Sequence, residues 1–112
     1  MDYGVSHWLP EKNRLDYFIG IKTEDAAGDV SGTVHITIPR SYYAVFATPP
    51  ATHFDFVNTI HRTWNYINSM WLMPNGYRRA AGYEFEAYVD SNSRTFSEKI
   101  YIPLIPENEY RS

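Results

Sequence analysis

The chain has 112 residues, enough for one domain with one core, and its 10 basic and 13 acidic residues give a net charge of -3 at pH 7. This charge argues against a nucleic-acid partner, because no overall positive field attracts phosphates, and the absence of cysteine excludes disulfides and thiol chemistry. No apolar run approaches the roughly 20 residues that span a bilayer, and the first residues lack a signal-peptide pattern, so we expect a cytoplasmic protein with no membrane partner.

The N-terminal part of the sequence predicts strands separated by polar connections. Residues 1–13 are mixed and turn-rich, which is typical of an irregular lead-in. Aromatic and β-branched residues at 15–23 predict a first strand, and the Gly, Asp and Ser residues at 24–32 predict a surface loop. Residues 33–39 alternate between apolar and polar, so we expect a strand that forms an antiparallel hairpin with residues 42–48.

Residues 54–72 form the segment whose apolar side chains recur at helical spacing. These side chains follow one another by three or four positions and share one face of a helix: Val57, Ile60, Trp64, Ile67 and Trp71. Thr52, with Asp55 three residues later, is typical of a helix N-terminus. Pro74 and the following Asn-Gly pair end the helix. The spacing therefore predicts one long amphipathic helix.

The C-terminal part predicts a connector at 77–82, a strand at 83–89, a polar turn at 90–98 and a last strand at 99–105. Pro103 places this last strand at an edge of the sheet or at a bulge, because proline donates no backbone hydrogen bond. Together the elements predict an α+β fold in which one long helix covers an antiparallel sheet.

Short motifs spread along the chain carry a family resemblance: Phe18-Ile19-Gly20-Ile21, Ile38-Pro39, Tyr43-Ala44-Val45-Phe46, Trp64, Tyr66-Ile67, Trp71-Leu72, Asn75-Gly76-Tyr77, Phe85-Glu86-Ala87-Tyr88 and Ile102-Pro103. In this order and spacing they resemble the gyrase-inhibitor-like, AraC-type effector-binding domain, whose stand-alone members include drug-binding proteins carried on integron gene cassettes. The resemblance covers nearly the whole chain and implies a single effector-binding domain over residues 1–112. It also implies strand-helix-strand-strand repeats around a groove for small, often cationic and aromatic, organic molecules.

The sequence departs from the family pattern in two places. A strand and a helix normally precede the point at which this sequence begins, so we expect an incomplete first repeat. A second copy of the chain could then supply the missing face of the groove, which makes a homodimer one expected partner arrangement. The other departure is Arg40-Ser41, where the family usually has a small residue followed by glycine.

Glu86 is the main candidate for ligand binding. It lies between Phe85 and Ala87, with Tyr88 on its own face of the predicted strand, and a carboxylate held among aromatic rings is poorly hydrated. The resemblance implies that a glutamate at this position faces the bound cation. The alternative is an ordinary exposed residue on the outer face of a half-buried strand.

The other candidate ligand-binding residues are aromatic: Tyr88, Trp64, Trp71, Tyr17 and Tyr43. Core packing explains both tryptophans equally well, and the tyrosine hydroxyls could orient a ligand or simply reach solvent. Of the four histidines, His7 and His35 are isolated, while His53 and His61 lie eight positions apart without a His-Glu-x-x-His pattern. We therefore expect no metal and no cofactor.

Three functions remain open at this point. The first is a binding module for a small cationic aromatic compound, which requires no reaction. The second is a small hydrolase in which a pocket carboxylate such as Glu86 acts as the general base on a water molecule. The third is a protein-interaction module of the inhibitor type. The absence of cysteine and of a Gly-x-Ser-x-Gly motif argues against nucleophilic catalysis and favours binding.

Overall fold

The computed structural model describes residues 2–23, 32–90 and 96–107. Its elements, in chain order, are β1 (Asp2–Leu9), a short 3-10 turn (Pro10–Lys12), β2 (Arg14–Ile21), β3 (Tyr42–Ala47), α1 (Phe56–Ser69), β4 (Tyr77–Arg79), β5 (Tyr83–Asp90) and β6 (Phe96–Pro106). Most of the predicted loop (24–31) and part of the predicted turn (91–95) lie outside the described residues.

The described strands form one six-stranded antiparallel sheet in the order β2-β1-β5-β6-β3, and β4 also pairs with β6. Helix α1 packs on one face of this sheet, where Ile67 forms the core with Ile100 and Ile102. The predicted α+β fold with one helix on an antiparallel sheet is therefore confirmed.

The prediction of an irregular lead-in at residues 1–13 is wrong. Residues Asp2–Leu9 form strand β1, which pairs with β2 on one side and with β5 on the other. Local sequence gives little strand signal here, because Gly4 and Ser6 interrupt the apolar residues. Pairing on both edges satisfies the backbone hydrogen bonds and stabilises the strand in spite of its composition. Asn13 completes the turn into β2 with a φ of 47°, in the left-handed region that asparagine tolerates.

The predicted hairpin between residues 33–39 and 42–48 is also wrong. Residues 33–39 are described but form no strand, and Val34 is exposed. Strand β3 pairs instead with β6, from Tyr42 opposite Leu104 to Ala47 opposite Lys99. An alternating pattern forms a strand only where a partner strand is available, and the partner of β3 is β6.

Helix α1 is shorter than predicted at both ends. Its N-cap is Asp55 rather than Thr52, and the Thr52 hydroxyl donates a hydrogen bond of 3.1 Å to Asp55 Oδ2. At the other end the backbone N–H groups of Met70 and Trp71 both donate to Tyr66 O, which closes the last turn before Pro74. Val57, in the first turn of α1, is exposed, so the first residue of the predicted apolar stripe is not buried.

Strand β6 is an interior strand, so of the two alternatives predicted at Pro103 the edge is wrong, and the structure has a local bulge in the pairing. Along one side β6 pairs first with β5 and then with β4, and Pro103 lies between the two ladders. Phe85 is opposite Tyr101 and Arg79 is opposite Leu104. Residues 80–84 on one side therefore face only residues 102 and 103 of β6, which makes a bulge in the pairing. Proline is tolerated at this point because no ladder bond requires its missing N–H, while its carbonyl accepts from Ala80 N at 2.8 Å. The predicted connector at 77–82 contains β4.

The helix covers only part of its face of the sheet. We call the portion of this face that lies over β3, β5 and β6 the covered half, and the portion over β1 and β2 the uncovered half. Large side chains of the uncovered half are exposed: Trp8, Leu15, Tyr17, Ile19 and Ile21. Strand β5 pairs with β1 and is therefore the strand at which the two halves meet.

Candidate functional site

Glu86 lies on β5 and points toward the helix. Its side chain accepts a hydrogen bond of 2.5 Å from Trp64 Nε1, and the residue is only 8% exposed. The alternation of β5 sets this orientation, since Phe85 faces the opposite side and stacks on Tyr101. Because the indole N–H is a neutral donor, this hydrogen bond brings no counter-charge to the carboxylate.

A second carboxylate, Glu98, lies beside Glu86 on the neighbouring strand. Tyr88 is directly opposite Glu98 and Glu86 is opposite Ile100, which makes the two glutamates diagonal neighbours on one face. Glu98 is 1% exposed, and neither of its carboxylate oxygens has a hydrogen-bond partner among the described residues. Burial, followed by the adjacent charge of Glu86, raises the pKa of Glu98 to about 8.

The sequence analysis missed Glu98 because it assigned residues 90–98 to a polar turn. Residues 96–98 belong to strand β6. A signal was present, since Glu98 shares its alternation with Ile100 and Ile102, both fully buried. Extending that strand by one alternation toward its N-terminus would have placed the carboxylate on the helix side.

Two tyrosine hydroxyls complete the group. Tyr17 of β2 and Tyr88 of β5 are hydrogen-bonded to each other. Burial raises the pKa of both hydroxyls, and the negative charges of Glu86 and Glu98 act in the same direction, so both tyrosines remain neutral donors at physiological pH.

Gly4 of β1 makes room for this group. A Cβ atom at this position would clash with the Tyr17 hydroxyl and would lie 3.5 Å from Glu86 Oε2. Because glycine has no side chain, Tyr17 can reach across β1 toward the carboxylate. We call the set Glu86, Glu98, Tyr17, Tyr88 and Trp64 the carboxylate site.

The structure thus brings together four of the six candidate residues, and the other two lie elsewhere. Trp71 packs edge-on against Phe46 of β3, with ring centroids 4.9 Å apart, as part of the core. Tyr43 lies on the opposite face of the sheet, where its ring meets Phe85 and its hydroxyl donates to Pro39 O. A separate open groove of about 560 Å³ lies between α1 and β3 and includes Arg62 and Tyr66.

Two kinds of site are not found in the described part of the chain. No group of three His, Asp or Glu side chains there could hold a metal ion. No described helix is long and apolar enough to cross a membrane. The carboxylate site itself offers acidic and hydroxyl groups beside aromatic rings.

Comparison with known families adds one finding. The family described as Cass2, integron-associated effector binding protein, matches residues 1–104. The chain belongs to this family. Searches of curated proteins and of solved structures give no match. Membership of the integron-associated effector-binding family supports small-molecule binding as the general function and confirms the resemblance found in the sequence.

Proposed function

We propose that this effector-binding protein binds small organic cations that carry aromatic groups, and that Glu86 of the carboxylate site is their counter-charge. The observation that carries the proposal is the burial of Glu86. At 8% exposure it has lost most of its hydration, and no salt bridge among the described residues includes it. Glu84, two residues away on the same strand, is by contrast paired with Arg79.

The energetic argument compares the empty and the occupied site. A desolvated charge without a partner costs several kcal/mol, which a bound cation would recover in part. Each well-placed contact between the cation and an aromatic ring adds roughly 0.5 to 2 kcal/mol, and Trp64 and the two tyrosines offer such rings. Together these terms reach about 8 kcal/mol, which corresponds to micromolar affinity.

Access to the site comes from the uncovered half. Tyr17 is 48% exposed although its hydroxyl reaches Tyr88, so its ring connects solvent with the carboxylates. The exposed apolar side chains of β1 and β2 would contact the aromatic part of a ligand, while the helix closes the other side. An amphipathic cation fits such a surface because its charge and its rings are separated in space.

The uncovered half also supports a second copy of the chain as a partner. Contiguous exposed apolar side chains, with Leu15, Ile19 and Ile21 in one row of β2, are unusual on the surface of a monomer. The partner copy would cover this row and add a wall to the ligand site. The cytoplasm is the compartment that we propose for this complex.

The experiment uses two tetrahedral probes of the same shape and opposite charge, tetraphenylphosphonium and tetraphenylborate. Trp64 donates to Glu86, so tryptophan fluorescence reports directly on the site. Saturable quenching is expected with the phosphonium and not with the borate. Glu86→Gln should weaken phosphonium binding about tenfold or more, which is about 1.4 kcal/mol.

Glu84→Gln is the matched control, because it removes a carboxylate from the same strand and face that already has Arg79 as its counter-charge. It should leave the phosphonium affinity unchanged. Equal affinity of the wild type and Glu86→Gln would remove Glu86 from the mechanism. Binding of both probes with equal strength would show that the site recognises shape rather than charge.

A further inference from the structure

Glu98 belongs to the carboxylate site and is buried there, but it has no role in the function proposed above. The side chain is 1% exposed and both carboxylate oxygens lack a hydrogen-bond partner within the described ranges. Thr48 Oγ1 accepts from the backbone N–H of Glu98 at 2.9 Å and does not serve the carboxylate. An ionised carboxylate in this position would be both desolvated and unpaired.

The two glutamates differ in which protonation state their surroundings favour. Glu86 accepts the indole N–H of Trp64, and a donated hydrogen bond stabilises the ionised form. Glu98 accepts no such bond, and the adjacent negative charge of Glu86 opposes a second one. A protonated Glu98 can instead donate its own hydrogen bond to Glu86. The hydrogen-bonding requirements of the two carboxylates are therefore met when the pair holds one proton, and that proton is bound to Glu98.

The charged and titratable groups around Glu98 agree with this assignment. Strand β5 contributes Glu86, whose negative charge opposes a second one on Glu98, while Tyr88 of β5 and Tyr17 of β2 are neutral at physiological pH. From the helix, His61 and Arg62 are both exposed. Before the helix, His53 is exposed and contacts the ring of Phe96. Burial and Glu86 therefore dominate, and they raise the pKa of Glu98 to about 8.

We propose that an organic cation bound at the carboxylate site takes the place of the proton on Glu98, so that binding is an exchange of one cation for one proton. This inference rests on the proposed function. One cation enters, the O–H bond of Glu98 breaks, and the proton passes to solvent. The site then holds two carboxylates and one organic cation, with the same net charge as before.

Exchange predicts a pH dependence with a definite direction. Below the pKa of Glu98 the cation must displace a proton, so its affinity should rise about tenfold per pH unit. Above that pKa the proton is already absent and the affinity should become independent of pH. A site that binds the cation without releasing a proton would show no such dependence.

Calorimetric titration with tetraphenylphosphonium measures the exchange directly. This probe has no acidic proton, so every proton released comes from the protein. At each pH, binding enthalpies are compared in two buffers that hold that pH and differ in their enthalpy of ionisation: phosphate and Bis-Tris at the lower pH, borate and CHES at the higher. At about pH 6.5 the wild type should release about one proton per bound probe, and at about pH 9.5 almost none. Glu98→Gln should release none at either pH, while the control Glu11→Gln, in the exposed 3-10 turn, should behave like the wild type.

The outcomes of this titration distinguish failure of the exchange from failure of the proposed function. Phosphonium binding without proton release at the lower pH would overturn the exchange and leave the proposed function intact, whereas no binding at all would overturn both. Proton release that persists in Glu98→Gln would assign the proton to another group. If this variant does not fold, infrared spectra of the wild type decide instead: the carbonyl band of a protonated carboxylic acid should disappear on binding, and its persistence would overturn the proposal.

Discussion

The two halves of the helix-side face are built from similar apolar residues but bury them to different extents. In the covered half Ile100 is 0% exposed, and in the uncovered half Ile19 is 76% exposed. Both are isoleucines on strands of the same sheet and on the same face of it. Their difference comes from the position of the single helix rather than from local sequence. The position of one helix therefore determines where this molecule has a core and where it has a surface.

The carboxylate site lies at the border between the two halves. Glu98 belongs to the covered half, which keeps water away from its carboxylate. Tyr17 belongs to the uncovered half and remains open to solvent. A binding site needs both properties, because a charge must be desolvated to interact strongly and a ligand must still be able to reach it.

The largest expected effect tests the comparison directly. Ile100→Ala should lower the free energy of unfolding by about 4 kcal/mol, because it leaves a cavity in a region with no exposure. Ile19→Ala, the same change in the uncovered half, should stay within about 0.5 kcal/mol of the wild type. Urea unfolding followed by circular dichroism measures both. An equal loss of unfolding free energy in Ile100→Ala and Ile19→Ala would mean that the uncovered half is buried in solution.

The second prediction concerns pH and follows from the buried carboxylate of the covered half. The pKa of Glu98 is about 8 in the folded state and near 4.5 when unfolded, so the folded protein binds the extra proton between these values. The free energy of unfolding should therefore fall as the pH rises from about 5 to about 8, by about 3 kcal/mol. Glu98→Gln should lack this component. Parallel stability curves for the two proteins would contradict the prediction.

A third, smaller effect is expected where the helix meets the border. Trp64→Phe removes the N–H donor of Glu86 and should cost about 2 kcal/mol of stability, because the buried carboxylate loses its hydrogen bond. Trp71→Phe is the control. Trp71 packs on Phe46, so a smaller ring in its place should cost no more than about 1 kcal/mol. Thermal unfolding compares the two variants, and equal losses would show that the Trp64 hydrogen bond adds little.

The smallest effect on stability is expected for a charge placed in the uncovered half. Ile19→Lys should change the free energy of unfolding by less than about 0.5 kcal/mol, since the position is exposed within the chain. If a second copy covers this surface, the same change should separate the copies. Light scattering after size exclusion should then give the mass of a dimer for the wild type and of a monomer for the variant. A monomeric wild type would contradict the partner copy.

The elements that the sequence predicted correctly are those with a strong period. Helix α1 and strands β2, β3, β5 and β6 were predicted within a few residues, because their alternation or helical spacing is visible locally. Strand β1 was missed because its stability comes from neighbours on both edges. Residues 33–39 were predicted as a strand because they alternate, yet they form no strand in the described structure. The period of a segment shows how it could be buried, and tertiary pairing decides whether it is.

The same limit applies to the carboxylate site. Alternation correctly placed Glu86 and Tyr88 on one face, and helical spacing placed Trp64 on the buried stripe. Neither period gives the order of strands in the sheet, so the approach of Tyr17 across β1 could not be derived. Glu98 was missed because a glutamate beside a polar run looks like part of a turn, although its alternation with Ile100 and Ile102 was visible; the pairing of β6 with β5 places it beside Glu86.

The position of β6 has a consequence for synthesis. This strand separates β3 from β5 and supplies the isoleucines against which the helix packs, yet it follows all of these elements in the chain. On the ribosome, β3, α1 and β5 are therefore synthesised before β6, their shared partner, and cannot pack on it until residues 96–106 have emerged. The pairing of β1 with β2 is local and can form early, whereas the pairing of β1 with β5 and the assembly of the covered half come late, at the slower rate typical of contacts between distant residues.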